Sequence, residues 1–207
     1  MNIHKESLYA ATPQAKIEYQ IYIADTGTEE IAKYENQDRL NALCQSGCEN
    51  YGRKWSCPPY APSYQKFTAK FNHIYICLSL AKTDQFDYIK HNYLKIKAAN
   101  TILKSRIDKT LRKLLDEDVS YISGGSCRLC KSCKCKLNEA CIHPELMTYS
   151  FEAMGINVDD MVRDIFGIPL QWYKKNYLPE YTCVVAGLVS KDKFDAETII
   201  KTMQSLN

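Results

Sequence analysis

The sequence predicts a single α/β or α+β sandwich domain over residues 1–207, with a small central sheet, several helices and two cysteine-rich loops at 44–60 and 124–144. Three observations predict it. A chain of 207 residues is long enough to bury one substantial core. Apolar residues make up 45% and charged residues 25%, the balance of a folded globular protein. Four short β-type segments alternate with about six helical ones, with no repeat and no linker between them, which argues for one layered unit.

The elements follow in order. Residues 16–24 alternate apolar and polar side chains and are rich in β-branched types, which predicts a strand. Residues 38–43 read as helix, and residues 60–71 as a short helix after Pro58-Pro59. Residues 73–80, apolar apart from His73 and Ser79, read as a buried strand. Between about 85 and 115, Phe86, Ile89, Tyr93, Ile96, Ala99, Leu103, Ile107, Leu111 and Leu114 recur every three or four residues, predicting one long amphipathic helix. Residues 119–122 form a short strand, and Gly124-Gly125 turns the chain into the second cysteine loop. His143-Pro144 is expected to open a helix through about Met154, closed by Gly155. A further helix over 158–166, a buried strand over 182–189 and an amphipathic helix over 196–206 complete the pattern.

Bulk properties exclude several classes. A net charge of +3 is too weak to imply nucleic acid. Residues 1–15 lack the apolar stretch of a signal peptide. The longest apolar-and-glycine run, 183–189, falls far short of a membrane span. A cytoplasmic location is therefore expected, where thiols stay reduced. There, ten cysteines point to metal rather than to disulfides.

Five of those cysteines stand within fifteen residues, as Cys127-x2-Cys130-x2-Cys133-x-Cys135-x5-Cys141. Three cysteines in x2 succession with a later one completing the set is the spacing with which bacterial ferredoxin loops hold a [4Fe–4S] cluster. Cys127, Cys130, Cys133 and Cys141 form the best ligand set, since Cys135 lies close to Cys133 for a shared cube. The set with Cys135 in and Cys141 out stays open. Arg128, Lys131, Lys134 and Lys136 interleave the cysteines and supply positive charge to an anionic cluster. The helix expected from Pro144 would add its N-terminal N–H groups. Zinc is the competing metal, although zinc ribbons use two separated Cys-x2-Cys pairs. His143, close behind Cys141, is a possible ligand; a histidine so placed more often supports a neighbouring ligand than binds metal itself.

The first group is Cys44-x3-Cys48-x8-Cys57-Pro58-Pro59. Cys44 and Cys48, four apart, share a face on a helical turn. Three cysteines are local, so a fourth bond is left open or comes from Cys77, Cys135 or Cys183. Cys77 and Cys183 sit in apolar strand patterns and read as core thiols. Glu152 is a candidate proton donor, with a solvated helix face as its plainer role.

The run Cys44-Gln-Ser-Gly-Cys48-Glu-Asn-Tyr51-Gly52-Arg-Lys-Trp55-Ser-Cys57-Pro58-Pro59 resembles a family of predicted metal-binding proteins (domain of unknown function 2284). So do Gly124-Gly125-Ser-Cys127-Arg-Leu-Cys130, then Cys133, Cys141-Ile-His143-Pro144 and Ser150-Phe-Glu152-Ala153-Met-Gly155-Ile156, and the ending Ala186-Gly187-Leu188-Val189. The resemblance covers the chain from Cys44 onward. It implies a cysteine-ligated metal, iron–sulfur in kind, and no particular reaction; Cys135 lies outside the shared pattern.

The functional expectation is a cytoplasmic protein with one or two [4Fe–4S] clusters that passes electrons to a redox partner, an acidic one given the basic collar, and engages neither nucleic acid nor membrane. The alternatives are an enzyme with an open-coordination three-cysteine cluster, acting as Lewis acid or in sulfur handling, and a zinc-stabilised interaction module.

Overall fold

The computed structural model describes residues 1–175 and 177–206. Five strands form one antiparallel sheet: β1 (Asn2–Ala11), β2 (Lys16–Gly27), β3 (His73–Lys82), β4 (Val119–Ile122) and β5 (Tyr181–Ser190), in the order β1-β2-β3-β5-β4. Every strand pair is antiparallel, which makes the fold α+β and removes the α/β alternative.

Side-chain alternation along the central strands builds a core on each face. Tyr75 and Cys77 of β3 join Tyr19, Ile21 and Ile23 of β2 and Ala186 and Leu188 of β5 on one face. That face is covered by α4 (Asn92–Arg112), through Leu103, Ile107 and Leu111, and by α6 (Glu197–Gln204), through Ile199 and Met203. Ile74, Ile76 and Leu78 point the other way. They pack under α1 (Thr28–Ala32), α3 (Tyr64–Thr68) and α5 (Val158–Phe166), whose Ile31, Tyr64, Met161 and Val162 are buried there. The remaining helix, α2 (Gln37–Gly47), buries no residue of its own. Among the described residues no helix is long and apolar enough to cross a membrane.

Three expectations are corrected. β1 is a fifth strand that the pattern did not announce, because it is an edge strand with only Leu8 and Ala10 buried. The long helix begins at Asn92 rather than near 85: Phe86 lies in a separate 3₁₀ turn, Asp84–Phe86. Phe86 and Ile89 still pack with Ile17 and Ala99, so the apolar period runs across a break in the helix. The helix from Pro144 to Met154 is absent. Two 3₁₀ turns, Pro144–Leu146 and Glu152–Met154, stand in its place. Between them Tyr149 is extended, bridges Ile122 and accepts a hydrogen bond from the Ser123 N–H at 2.8 Å. Pairing with the sheet therefore wins over helix formation, and no helix N-terminus is available to Cys141.

Candidate metal centre

The two cysteine groups arrive from different directions. Cys44 lies in the last turn of α2, and Cys48 caps that helix, its N–H donating to the Cys44 carbonyl at 2.9 Å. Because α2 lacks a buried face, it is fixed at its start instead. The Asn36 N–H donates to the Gly155 carbonyl at 2.7 Å, and Asn36 caps the helix through the Arg39 N–H. Gly155 has φ +87°, and a Cβ there would lie 2.9 Å from the Gln37 Cα. Only glycine meets both conditions.

The chain then folds back through Tyr51 to Ala61. Gly52, at φ +65°, donates its N–H to the Pro58 carbonyl at 2.9 Å, and the Cys57 N–H donates to the Lys54 carbonyl. The Pro58-Pro59 peptide bond is cis. The second loop leaves β4 through Ser123, whose hydroxyl donates to the Gly125 carbonyl at 2.6 Å. Gly124 is pressed against β5, where an added Cβ would meet Val184 Cγ1 at 2.5 Å and the Val185 carbonyl oxygen at 3.2 Å.

The loops interlock. Lys54 Nζ donates to Ser126 Oγ at 2.9 Å and to the Cys127 carbonyl at 3.1 Å. The Cys127 N–H donates to Ser56 Oγ at 3.2 Å, and Trp55 Nε1 donates to the Glu139 carbonyl at 2.9 Å. The buried Cys135 thiol makes a weak contact with the Gly52 carbonyl at 3.7 Å. Cys135 thus ties one loop to the other.

Two cavities result. Cys127, Cys130, Cys133 and Cys141 all line one, with Lys54, Ser56 and His143. Cys44, Cys48 and Cys57 all line the other, with Ser126, Ser150 and Glu152. Cys135 lines neither, and Cys77 and Cys183 lie in the sheet. Glu152 reaches the three-thiol cavity from the 3₁₀ turn that replaces the expected helix. No three His, Cys, Asp or Glu side chains among the described residues already converge on a single-ion site.

The thiols feel one another. Burial pushes the Cys57 thiol up to about 11, against Ser56 and Lys54, with Cys48 and Cys44 adding to the rise. Burial also raises Cys44, followed by Cys48 and Glu152. Cys130 is raised by partial burial and then by Cys127, Cys141 and Cys133. Cys44, Cys57 and Cys130 are therefore disfavoured as thiolates unless a cation compensates them. A metal ion or cluster meets that need, since thiolate is the ligating form.

An α+β fold with two interlocked, thiol-lined cavities defines a cysteine-rich protein built to hold metal. The sequence agrees at the level of family. Residues 30–188 match the model of the predicted metal-binding protein family DUF2284, and the chain belongs to that family. The match starts upstream of Cys44, so it includes part of α1 and all of α2 as well as both cysteine loops. No curated protein and no solved structure matches the chain.

Cys77 and Cys183 make a contrast that can be measured. Burial raises each thiol to about 12, so both stay protonated through the neutral and mildly alkaline range. At about pH 8, below the ordinary thiol range, the folded protein should resist alkylation at these two positions, and unfolding should expose them. Cys183→Ala should keep the wild-type metal content; loss of metal would make Cys183 a ligand.

Proposed function

We propose that the chain is an iron–sulfur protein of the cytoplasm, a single metal-binding domain that carries single electrons to or from a partner. Cys127, Cys130, Cys133 and Cys141 would hold one [4Fe–4S] cluster, and Cys44, Cys48 and Cys57 a second. Four thiols spread around a cavity suit a polynuclear group better than a lone zinc ion, whose ligands converge on one point. When bound, such a cluster supplies one-electron redox chemistry at a potential tuned by hydrogen bonds and exposure.

The observation that carries this reading is the shared wall between the two cavities. Ser56 lines one and its neighbour Cys57 the other, while Ser126 and Cys127 are divided in the same way. The Lys54 Nζ to Ser126 Oγ hydrogen bond, between a residue of the four-thiol cavity and one of the three-thiol cavity, crosses that wall. Two redox groups placed so close favour electron passage between them. Lys54, Lys131 and Lys136 line the four-thiol cavity and offset negative charge there. Lys131 and Lys136 are exposed, which suits a weak, salt-sensitive encounter with an acidic partner.

A second reading has its own observation. The three-thiol cavity offers Glu152 in place of a fourth cysteine. A cluster there would keep one position free of cysteine, as an enzyme using it as Lewis acid or for sulfur handling requires. Iron, sulfide and zinc analysis of protein purified without oxygen tests the common ground. About four to eight irons per chain with matching sulfide are expected. Stoichiometric zinc without iron would sink both readings in favour of a zinc-stabilised interaction module.

A further inference from the structure

A third cavity, of about 230 Å³, opens between α4, the end of β4 and the start of the second cysteine loop. No cysteine lines it. Its apolar side comes from Ile107, Tyr121 and Val184, and its charged side from Lys104, Arg112 and Arg128, with Asp108 the one carboxylate.

Asp108 is already engaged. Arg112 Nε donates to both its oxygens, at 3.1 and 3.0 Å, and the guanidinium lies over the Tyr121 ring, 5.4 Å from its centroid. Lys104 and Arg128 have no ion-pair partner among the described residues. Lys104 is half-buried, and its Nζ lies 3.5 Å from where a Cβ on Gly125 would stand. Burial and then Arg128 lower its pKa, with Glu152 opposing. Two cations thus face one cavity without neutralisation. Thr148, which also lines it, is 4% exposed and its Oγ1 has no hydrogen-bond partner. A half-buried ammonium and an unsatisfied buried hydroxyl each cost stability. Both costs fall when an oxyanion enters, because it supplies negative charge and acceptor atoms together.

We propose that this cavity is a binding site for a small oxyanion, carboxylate or phosphate, with Lys104 and Arg128 as its counter-charges and Thr148 as a hydrogen-bond donor. Gly125 and Ser126 also line the three-thiol cavity, and Leu129 the four-thiol cavity, so the bound anion adjoins both. That is the position of a substrate or of an anionic effector. The site stands on its own lining, whatever fills the cysteine cavities.

The test is a titration of the protein as isolated with sodium phosphate and with sodium benzoate, against sodium chloride at equal ionic strength, followed by calorimetry and thermal melting. At least one oxyanion should bind saturably and raise the melting midpoint where chloride does not. A response to phosphate alone identifies phosphate chemistry, and one to benzoate alone identifies carboxylate. Lys104→Met should weaken binding about tenfold or more, and Thr148→Val about three- to tenfold. Lys109→Met, on the exposed side of α4, should leave binding unchanged. In chloride, Lys104→Met should melt above wild type, because the unneutralised ammonium is gone; a structural lysine would melt lower on removal. Absence of saturable binding by either anion, wild-type affinity in Lys104→Met, or a lower melting midpoint for that variant would overturn the assignment.

Discussion

Cys133→Ala, purified without oxygen, is expected to lose the iron of the second set, part of the iron of the first, and much of its thermal stability. The second loop has little core of its own. Between Ser123 and Thr148 its regular structure is two short 3₁₀ turns, and Leu137, Ile142 and Leu146 are exposed. A loop that buries so little apolar surface needs another source of order. Cross-links from Lys54, Ser56 and Trp55 supply part of it, and metal supplies the rest, because metal binding to a folded site is also folding free energy. Structural zinc peptides give about 10–16 kcal/mol as the scale of such coupling. The same cross-links hold the first loop, so its cysteines should loosen when the second loop does. Cys44→Ala should behave differently. Cys44 ends a helix that buries nothing, so its loss should remove iron from the first set and leave the second loaded. Iron and sulfide per chain, with melting curves for both variants, measure this asymmetry. Wild-type iron in Cys133→Ala would remove that cysteine from the ligand set.

Local pattern made β2, β3 and β5 legible, because they are buried and their side chains alternate or run apolar. It failed at β1, where two buried residues in ten leave no periodic signal. It also overran the start of α4, because the non-helical segment before it buries Phe86 and packs Ile89 against the same cluster, as a helix would. After Pro144 the decisive event is the pairing of Tyr149 with Ile122, a tertiary contact that local propensity does not contain. The candidate site divides in the same way. Spacing grouped the cysteines, because ligands to one site must lie within reach along the chain. The interlocking of the loops was invisible, since its hydrogen bonds join residues 71 to 84 positions apart. The role of Cys135 as a tie rests on one of those distant contacts, and the reach of Glu152 into the three-thiol cavity and the meeting of Lys104 and Arg128 at one cavity are likewise products of tertiary packing.

Adding a small thiol to the reduced protein should change the electron paramagnetic resonance signal of the first set and leave that of the second unaltered. The expectation follows from what each cavity offers. Four cysteines line the second, enough to complete a cluster's ligands from the protein. Three line the first, and the remaining cysteines are committed elsewhere: Cys135 contacts the Gly52 carbonyl, Cys77 is fully buried in β3, and Cys183 belongs to β5. Among the residues lining the first cavity, Glu152 supplies the carboxylate. It is exposed, and oxygen is a poorer match than thiolate for iron in a sulfide-rich cluster. An added thiol should therefore compete well for the position, and Glu152→Gln should make that competition easier. The effect should saturate with thiol concentration and reverse when the thiol is removed. If the spectrum ignores the thiol in both wild type and Glu152→Gln, the first set is closed by the protein, and the electron-transfer reading stands without its enzymatic rival.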